Sequence, residues 1–260
     1  MPECKSYVTE DVAIFAEKLA KQVAPLALRY FRQDLKIEDK RDSSPVTCAD
    51  REIEKVLRRE ISTHFPADTI LGEEYGIEAK EGVGLWVVDP IDGTKSFITG
   101  APNFGTLIAY CRGNRPDVGV ISCPASDEIW VGQRGVPTVY NGAPCRVSTC
   151  KCLADARLYT TSPDGFDREE LRKFEAVSRL VKLRRFGGDC YSYGLLASGH
   201  IDVVLETNLE PYDFLALVPV VEGAGGVITD WRGGALAPQS SGRVLASATP
   251  ELHERILSHL

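Results

Sequence analysis

The string Trp86-Val87-Val88-Asp89-Pro90-Ile91-Asp92-Gly93-Thr94 sends an apolar strand straight into two carboxylates. Pro90 fixes one backbone torsion and removes a donor, while Gly93 permits the positive torsion of a tight turn, so both acids can be held toward one point. Carboxylates this close repel unless a cation sits between them. Oxygen ligands of this kind suit Mg²⁺, Mn²⁺ or Ca²⁺ and not a thiophilic metal. The same letters also fit a β-turn whose Asp side chains only cap backbone amides. Further acids end other segments: Glu73 and Glu74 in Leu71-Gly72-Glu73-Glu74-Tyr75-Gly76, and Asp213 in Glu210-Pro211-Tyr212-Asp213-Phe214, at the first turn of an apolar helix. Each has its own cap or surface reading, Asp213 as a helix-dipole cap above all. Their recurrence at strand ends and helix starts favours a shared site. The N–H groups of Gly93 and Thr94 can point outward toward an anion held by the same cations. The Thr94 hydroxyl adds a contact there or N-caps a helix.

The elements that must position these groups are legible from periodicity. Phe15, Ala16, Leu19, Val23, Leu26, Ala27, Tyr30 and Phe31 fall at three- and four-residue steps and predict an amphipathic helix from Val12, kinked at Pro25. A second helix is expected from Asp50 to His64, closed by Pro66. Short apolar runs then predict strands at 69–71, 85–88, 104–110, 118–122 and 129–131. In the second half, strands at 158–160, 201–205, 226–229 and 244–247 alternate with helices at 169–180, 190–198, 213–223 and 250–257. The expected class is α/β, with an α+β first half and an α/β second half. The division falls in the Pro/Gly/Cys-rich stretch from Gly142 to Leu153, giving domains 1–145 and 146–260.

Composition narrows the function. With 30 Lys+Arg against 37 Asp+Glu the net charge is −7, and no basic run exceeds pairs such as Arg184-Arg185. That argues against an electrostatic grip on nucleic acid or anionic membrane and for a small-molecule ligand. Met1-Pro2-Glu3-Cys4-Lys5 lacks the apolar core of a signal peptide, and no run approaches the roughly 18 apolar residues of a membrane span, so a soluble, cytoplasmic chain is expected. The eight cysteines form no Cys-x-x-Cys pair and are read as reduced, mostly buried thiols, with a zinc or disulfide role for Cys145, Cys150 and Cys152 as the alternative. The four histidines are far apart and are read as structural or exposed. No Gly-x-x-x-x-Gly-Lys-Ser/Thr, His-Glu-x-x-His or Gly-x-Ser-x-Gly string occurs. The dehalogenase-type Asp-x-Asp-x-Thr motif fails too, because Pro90 and Ile91 both separate Asp89 from Asp92.

Thr47-Cys48-Ala49-Asp50, Gly72-Glu73-Glu74, the Asp89-to-Thr94 string, and Pro211-Tyr212-Asp213 followed by Glu222-Gly223-Ala224-Gly225-Gly226 occur in that order. Over most of the chain this resembles the inositol monophosphatase family of metal-dependent phosphatases. The resemblance implies a layered α/β/α/β/α fold with metals where the two halves meet, the first half carrying most ligands and the second the last ligand and the specificity residues. It implies that Glu73, Asp89 and the carbonyl of Ile91 hold one Mg²⁺, that Asp89, Asp92 and Asp213 hold a second, and that Glu73 reaches a weaker third, with Mn²⁺ as an alternative ion. It makes Asp50 and Thr94 a hydrogen-bonded pair that takes a proton from a metal-activated water, which attacks phosphorus without a phospho-enzyme. Two cations can steady the attacking and leaving oxygens of such a displacement. Members are usually homodimers.

Gly188-Asp189-Cys190-Tyr191, Pro211-Tyr212-Asp213-Phe214 and Gly93-Thr94-Lys95-Ser96-Phe97 look like the histidinol-phosphate phosphatase branch. Inositol-cleaving members carry small neutral residues at the position of Asp189, and an acid there invites an ammonium or imidazolium. Asp92, Gly93, Thr94, Gly188, Asp189, Glu206 and Asp213 are the implied substrate contacts. Asp189 also reads as a cap for the helix starting at Cys190, and Glu206 as an exposed strand-end acid. The expected reaction is hydrolysis of L-histidinol phosphate, a step of histidine biosynthesis. The alternatives are inositol or another small sugar phosphate and, more distantly, a non-catalytic metal- or phosphate-sensing homologue.

Overall fold

The computed structural model describes residues 9–34, 37–39 and 45–260, so Met1 to Lys5 lie outside the described residues. Helix α1 (Thr9–Tyr30) runs through Pro25 as one helix and buries Val12, Ala16, Leu19, Val23 and Ala27 along one stripe. Strands β1 (Ile37–Asp39) and β2 (Pro45–Thr47) pair antiparallel and lead into α2 (Cys48–His64). There follow β3 (Thr69–Gly72), β4 (Gly76–Glu78), β5 (Gly84–Asp92), α3 (Thr94–Ile98), β6 (Gly105–Arg112), β7 (Arg115–Cys123), β8 (Glu128–Gln133), β9 (Val136–Tyr140) and β10 (Ala143–Pro144). The remainder comprises β11 (Arg157–Thr160), α4 (Arg168–Ser178), β12 (Leu183–Phe186), α5 (Asp189–Ala197), β13 (Val203–Glu206), α6 (Pro211–Phe214), α7 (Leu217–Gly223), β14 (Val227–Thr229), β15 (Val244–Ser247) and α8 (Pro250–Leu257).

The larger sheet has the order β10-β9-β8-β7-β6-β5-β3-β4 and is antiparallel except for the parallel pair β3–β5. The smaller has the order β12-β11-β13-β15-β14, with β11 parallel to both its neighbours and β15 antiparallel to both of its own. Side chains of β6 alternate between two apolar layers. Ile108 and Tyr110 join Val12, Leu19, Ile53 and Leu57 of α1 and α2, whereas Leu107, Ala109 and Cys111 join Leu196 of α5 and Val220 and Val221 of α7. Val204 and Ala246 of the smaller sheet reach the same middle layer, so one apolar cluster draws on residues from both sides of 145/146. On the outer face Val203, Leu205 and Leu245 pack on Phe174, Leu252 and Ile256 of α4 and α8. The result is a mixed α/β fold of five layers, α/β/α/β/α. Both sheets are covered on both faces, which is why their central strands read as continuous apolar runs.

Several expectations are corrected. Strands β4, β10 and β12 lie at sheet edges with exposed residues throughout, and so carried no apolar alternation to detect. The helix expected at 213–223 is two, α6 and α7. Pro219 has no N–H to offer the Leu215 carbonyl, which interrupts the helix there. The Asp89-Pro90-Ile91-Asp92 segment is not a β-turn but the end of β5: Asp89 pairs with Leu107 and Asp92 with Gly105, so Pro90 and Ile91 together oppose Thr106 in a β-bulge. Of the seven described cysteines only Cys111, Cys123 and Cys190 are buried; all seven are free thiols. Among the described residues no helix is long and apolar enough to cross a membrane.

Two features of the packing yield measurable outcomes. A Cβ on Gly119 of β7 would lie 1.9 Å from the Ala216 carbonyl oxygen, where the chain enters α7. Gly119→Ala is therefore expected to lower unfolding free energy by about 3 kcal/mol, the upper range for overpacking, in urea titrations. His253, 4% exposed, is held as the neutral ring. Thr229 Oγ1 donates to the Asp230 carbonyl (2.7 Å) and so accepts from His253 Nε2 (2.8 Å), while Ser247 Oγ stands 3.1 Å from Nδ1. Burial lowers the His253 pKa from 6.5 to about 4. Between these values the unfolded chain binds the extra proton, so this contribution is constant above pH 6.5 and is lost as pH falls toward 4. Measured against His253→Gln, which shares every other titrating group, the wild type should lose up to about 3 kcal/mol of urea-derived stability over that window.

Candidate active site

The bulge decides the site's geometry. Residues three apart on a regular strand face opposite sides, and the extra residue turns Asp92 to the same side as Asp89. Val87, two before Asp89, packs in the middle helical layer, so both acids look toward that layer. Asp213 meets them from α6, and the ligand-capable oxygens of Asp89, Asp92 and Asp213 all lie within 4.8 Å of one another. Each acid is oriented by a backbone N–H: Ile91 N to Asp89 Oδ1 (3.0 Å), Cys190 N to Asp92 Oδ2 (2.6 Å), and Glu210 N to Asp213 Oδ2 (2.7 Å). One oxygen of each carboxylate is thereby committed to the backbone. Asp213 caps the start of α6 and faces its fellow acids at once.

The electrostatics are those of a cluster that requires positive charge. Asp89 is 1% exposed. Burial, then the charges of Glu73, Asp92 and Asp213, hold its pKa well above the carboxylate range. Burial and then Asp189 push Asp92 up to about 7. Burial and then Asp92 hold the Asp213 pKa well above the carboxylate range. Hard oxygen donors converging with excess negative charge fit a divalent cation of the Mg²⁺ class, which removes the repulsion that protons otherwise relieve.

Glu73 lies in the turn after β3, its N–H donating to the Val88 carbonyl (3.3 Å) next to Asp89. That turn is held by a residue the sequence reading missed. Glu54 of α2, 0% exposed, accepts from Glu74 N (2.7 Å), Tyr75 N (3.2 Å) and Arg58 Nε (2.7 Å). An acid between Ile53 and Leu57 on the buried stripe of α2 was the available signal.

Asp50 and Thr94 do not form the expected hydrogen bond. Asp50 completes the capping box of α2, its Oδ2 accepting from Thr47 N (2.9 Å) and Oγ1 (2.6 Å), and its Oδ1 is buried without a partner. Thr94 Oγ1 donates to the Ile91 carbonyl (3.1 Å), the oxygen expected to serve as a ligand. Both local partners are three residues away or nearer in sequence and satisfy these groups first. Gly93 has φ 80°, as its turn requires, and caps the short α3.

A cavity of about 420 Å³ opens beside the cluster, lined by Asp92, Asp213, Asp189, Glu206, Asp164 and Lys95 among others. Gly93 borders it closely: a Cβ there would stand 3.0 Å from the Asp189 carboxyl. Gly188 precedes α5 as its N-cap and is not among the lining residues. Asp189 is not the cap of α5. The acid bonded to that helix start is Asp92, through Cys190 N. Asp189, at φ 44°, accepts instead from Ser96 Oγ (2.8 Å), and Asn103 Nδ2 steadies both Ser96 Oγ (3.3 Å) and the Gly187 carbonyl (2.8 Å). Ser96 and Asn103 were missed because their role depends on contacts far along the chain. Glu206 is not an exposed strand-end acid. It is 4% exposed, shares the facing of Val204 toward the middle layer, and accepts from Thr160 Oγ1 (3.1 Å), Thr161 N (2.8 Å) and Thr161 Oγ1 (2.9 Å). Burial outweighs those bonds and pushes its pKa up to about 8. Cys145, Cys150 and Cys152 join no such ligand group among the described residues.

Known proteins share this fold. The model of the inositol monophosphatase family matches residues 9–260. The chain is 44% identical over 257 residues to the bifunctional phosphatase IMPL2 of Arabidopsis thaliana, covering 95% of this chain and 74% of that protein. It is 35% identical over 260 residues to the histidinol-phosphatase of Mycobacterium tuberculosis, covering 97% and 99% of the two chains. The solved structure of an inositol monophosphatase from Zymomonas mobilis superposes with a TM-score of 0.89 at 42% identity, covering 97% of this chain and 98% of that one. Family-wide match, five-layer fold and carboxylate cluster agree: this chain is a phosphatase of the metal-dependent inositol monophosphatase family.

Proposed function

We propose that the protein is a Mg²⁺-dependent phosphomonoesterase that hydrolyses L-histidinol phosphate to L-histidinol and phosphate. The observation that carries the substrate is Asp189, fixed by Ser96 and Asn103 at the wall of a cavity that also presents Glu206 and Asp164. Such a wall attracts a cationic alcohol portion, and the ammonium and imidazole of histidinol match it. The similarity to curated histidinol-phosphatases supports the same reading.

Glu73, Asp89, Asp92, Asp213 and the Ile91 carbonyl would hold the cations, two or three per site, with Mn²⁺ as a substitute. Bound there, a divalent cation supplies charge for the phosphoryl oxygens and lowers the pKa of water. The chain's own groups do the rest. Backbone N–H groups of Gly93 and Thr94, at the first turn of α3, lack intrahelical acceptors and receive the phosphate. Asp50, with its unpartnered Oδ1, accepts the attacking water's proton, and the Thr94 hydroxyl turns from the Ile91 carbonyl to join it. Attack is direct and in line. Asp189 takes the substrate ammonium, while Glu206 borders the alcohol portion. We further infer a cytoplasmic homodimer, on the family pattern alone. Hydrolysis of inositol monophosphate is the second reading, favoured by the similarity to the Zymomonas enzyme.

Phosphate release in Mg²⁺ from L-histidinol phosphate and from inositol 1-phosphate tests this directly. A preference for histidinol phosphate is expected, and Asp189→Ala should raise its KM by about 10- to 100-fold, the value of a charge-assisted hydrogen bond. Preference for the inositol ester, or indifference to that variant, would favour the second reading. Even residues behind metal ligands are typically worth 10- to 100-fold, so Asp213→Asn should cut turnover by at least about 100-fold and weaken Mg²⁺ binding in calorimetry while leaving the circular dichroism spectrum intact.

A further inference from the structure

Tyr193 follows Asp189 by four residues on α5, so the two side chains lie one above the other on one face of the helix. Both line the cavity. Rotation of α5 is set by the opposite contact: a Cβ on Gly194 would stand 2.8 Å from the Trp130 indole, and Trp130 Nε1 donates to Ser198 Oγ (2.8 Å). Tyr193 is 2% exposed, and its hydroxyl is buried with no hydrogen-bond partner among the described residues. Burial, and after it the charges of Glu206, Asp92 and Asp213, hold the phenol protonated. A buried Tyr hydroxyl ordinarily finds a partner, and leaving one unpaired costs stability.

The acids around the cavity can only accept when ionised, whereas a phenol can donate. We propose that the Tyr193 hydroxyl is a specificity-determining contact, donating a hydrogen bond to an acceptor atom in the alcohol portion of the phosphate ester, deeper in the cavity than Asp189. A ring nitrogen and a ring hydroxyl oxygen share this acceptor chemistry. The inference rests on the reading of this cavity as the seat of the alcohol portion, and it assigns that portion a second polar anchor. Substrate supplies the partner that the hydroxyl lacks among the described residues.

Tyr193→Phe keeps the ring and removes only the hydroxyl. Its KM for L-histidinol phosphate should rise about tenfold, the worth of one buried hydrogen bond. Competitive inhibition by inorganic phosphate, which lacks an alcohol portion, should stay within about twofold, and the thermal midpoint should hold or rise because an unpaired polar group is gone. An unchanged KM with a raised midpoint would overturn the proposal by making the hydroxyl a mere packing defect. A fallen midpoint, or equal weakening of phosphate inhibition, would overturn it by making the role structural. If the wild type instead prefers inositol 1-phosphate, the substrate assignment fails alone. The tenfold rise is then expected, and its absence decisive, on that ester.

Discussion

Three carboxylates, each with an oxygen within 4.8 Å of the others in a largely buried setting, repel strongly, and much of this fold serves to hold them there. Attraction among side chains cannot do it. Backbone N–H groups do, one to each acid, and those N–H groups belong to a bulged strand end and two helix starts. The rigidity of β5, α5 and α6 is thus converted into charge proximity, which makes a cluster of this kind a receptor for divalent cations.

The middle helical layer is where this conversion happens. Because α5 and α7 pack against strands of both sheets, their positions are set by the apolar faces of both. Asp92, from the larger sheet, accepts from Cys190 at the start of α5, and Ser96, just after that sheet's strand, donates to Asp189 at the same helix start. Metal end and substrate end of the cavity therefore share one helix terminus, so any displacement of α5 acts on both.

Around this centre, buried polar groups fall into two sorts. Glu54 is satisfied by the turn it holds, and Asp202 is bonded by Arg157 and Ser148, so both read as scaffolding. Asp50 Oδ1, the Tyr193 hydroxyl and its neighbour Ser192 Oγ are buried with no hydrogen-bond partner among the described residues, and the first two belong to the neighbourhood where chemistry is expected. Unpaired groups cost stability, and proteins keep them where a ligand supplies the missing bond.

Read as letters, acids at strand ends with Pro90 and Gly93 between and after them pointed to a divalent-cation site, apolar periodicity marked the long helices and the central strands, and the reaction class was implied by the resemblance of these motifs to a known family. Local interactions along the chain suffice for those inferences. Of the residues expected as ligands, Asp89, Asp92 and Asp213 do converge. What the letters could not decide was anything set by distant contacts. A strand that continues through Pro90 with a bulge looks the same in sequence as a turn, since the difference lies in pairing with Leu107 and Gly105. Edge strands such as β12 bury nothing and leave no pattern. The partners of Asp50, Thr94 and Asp189, and the support from Glu54, Ser96 and Asn103, emerged only in three dimensions. Hydrogen bonds are chosen by proximity after packing, and packing is a property of the whole chain rather than of any window in it.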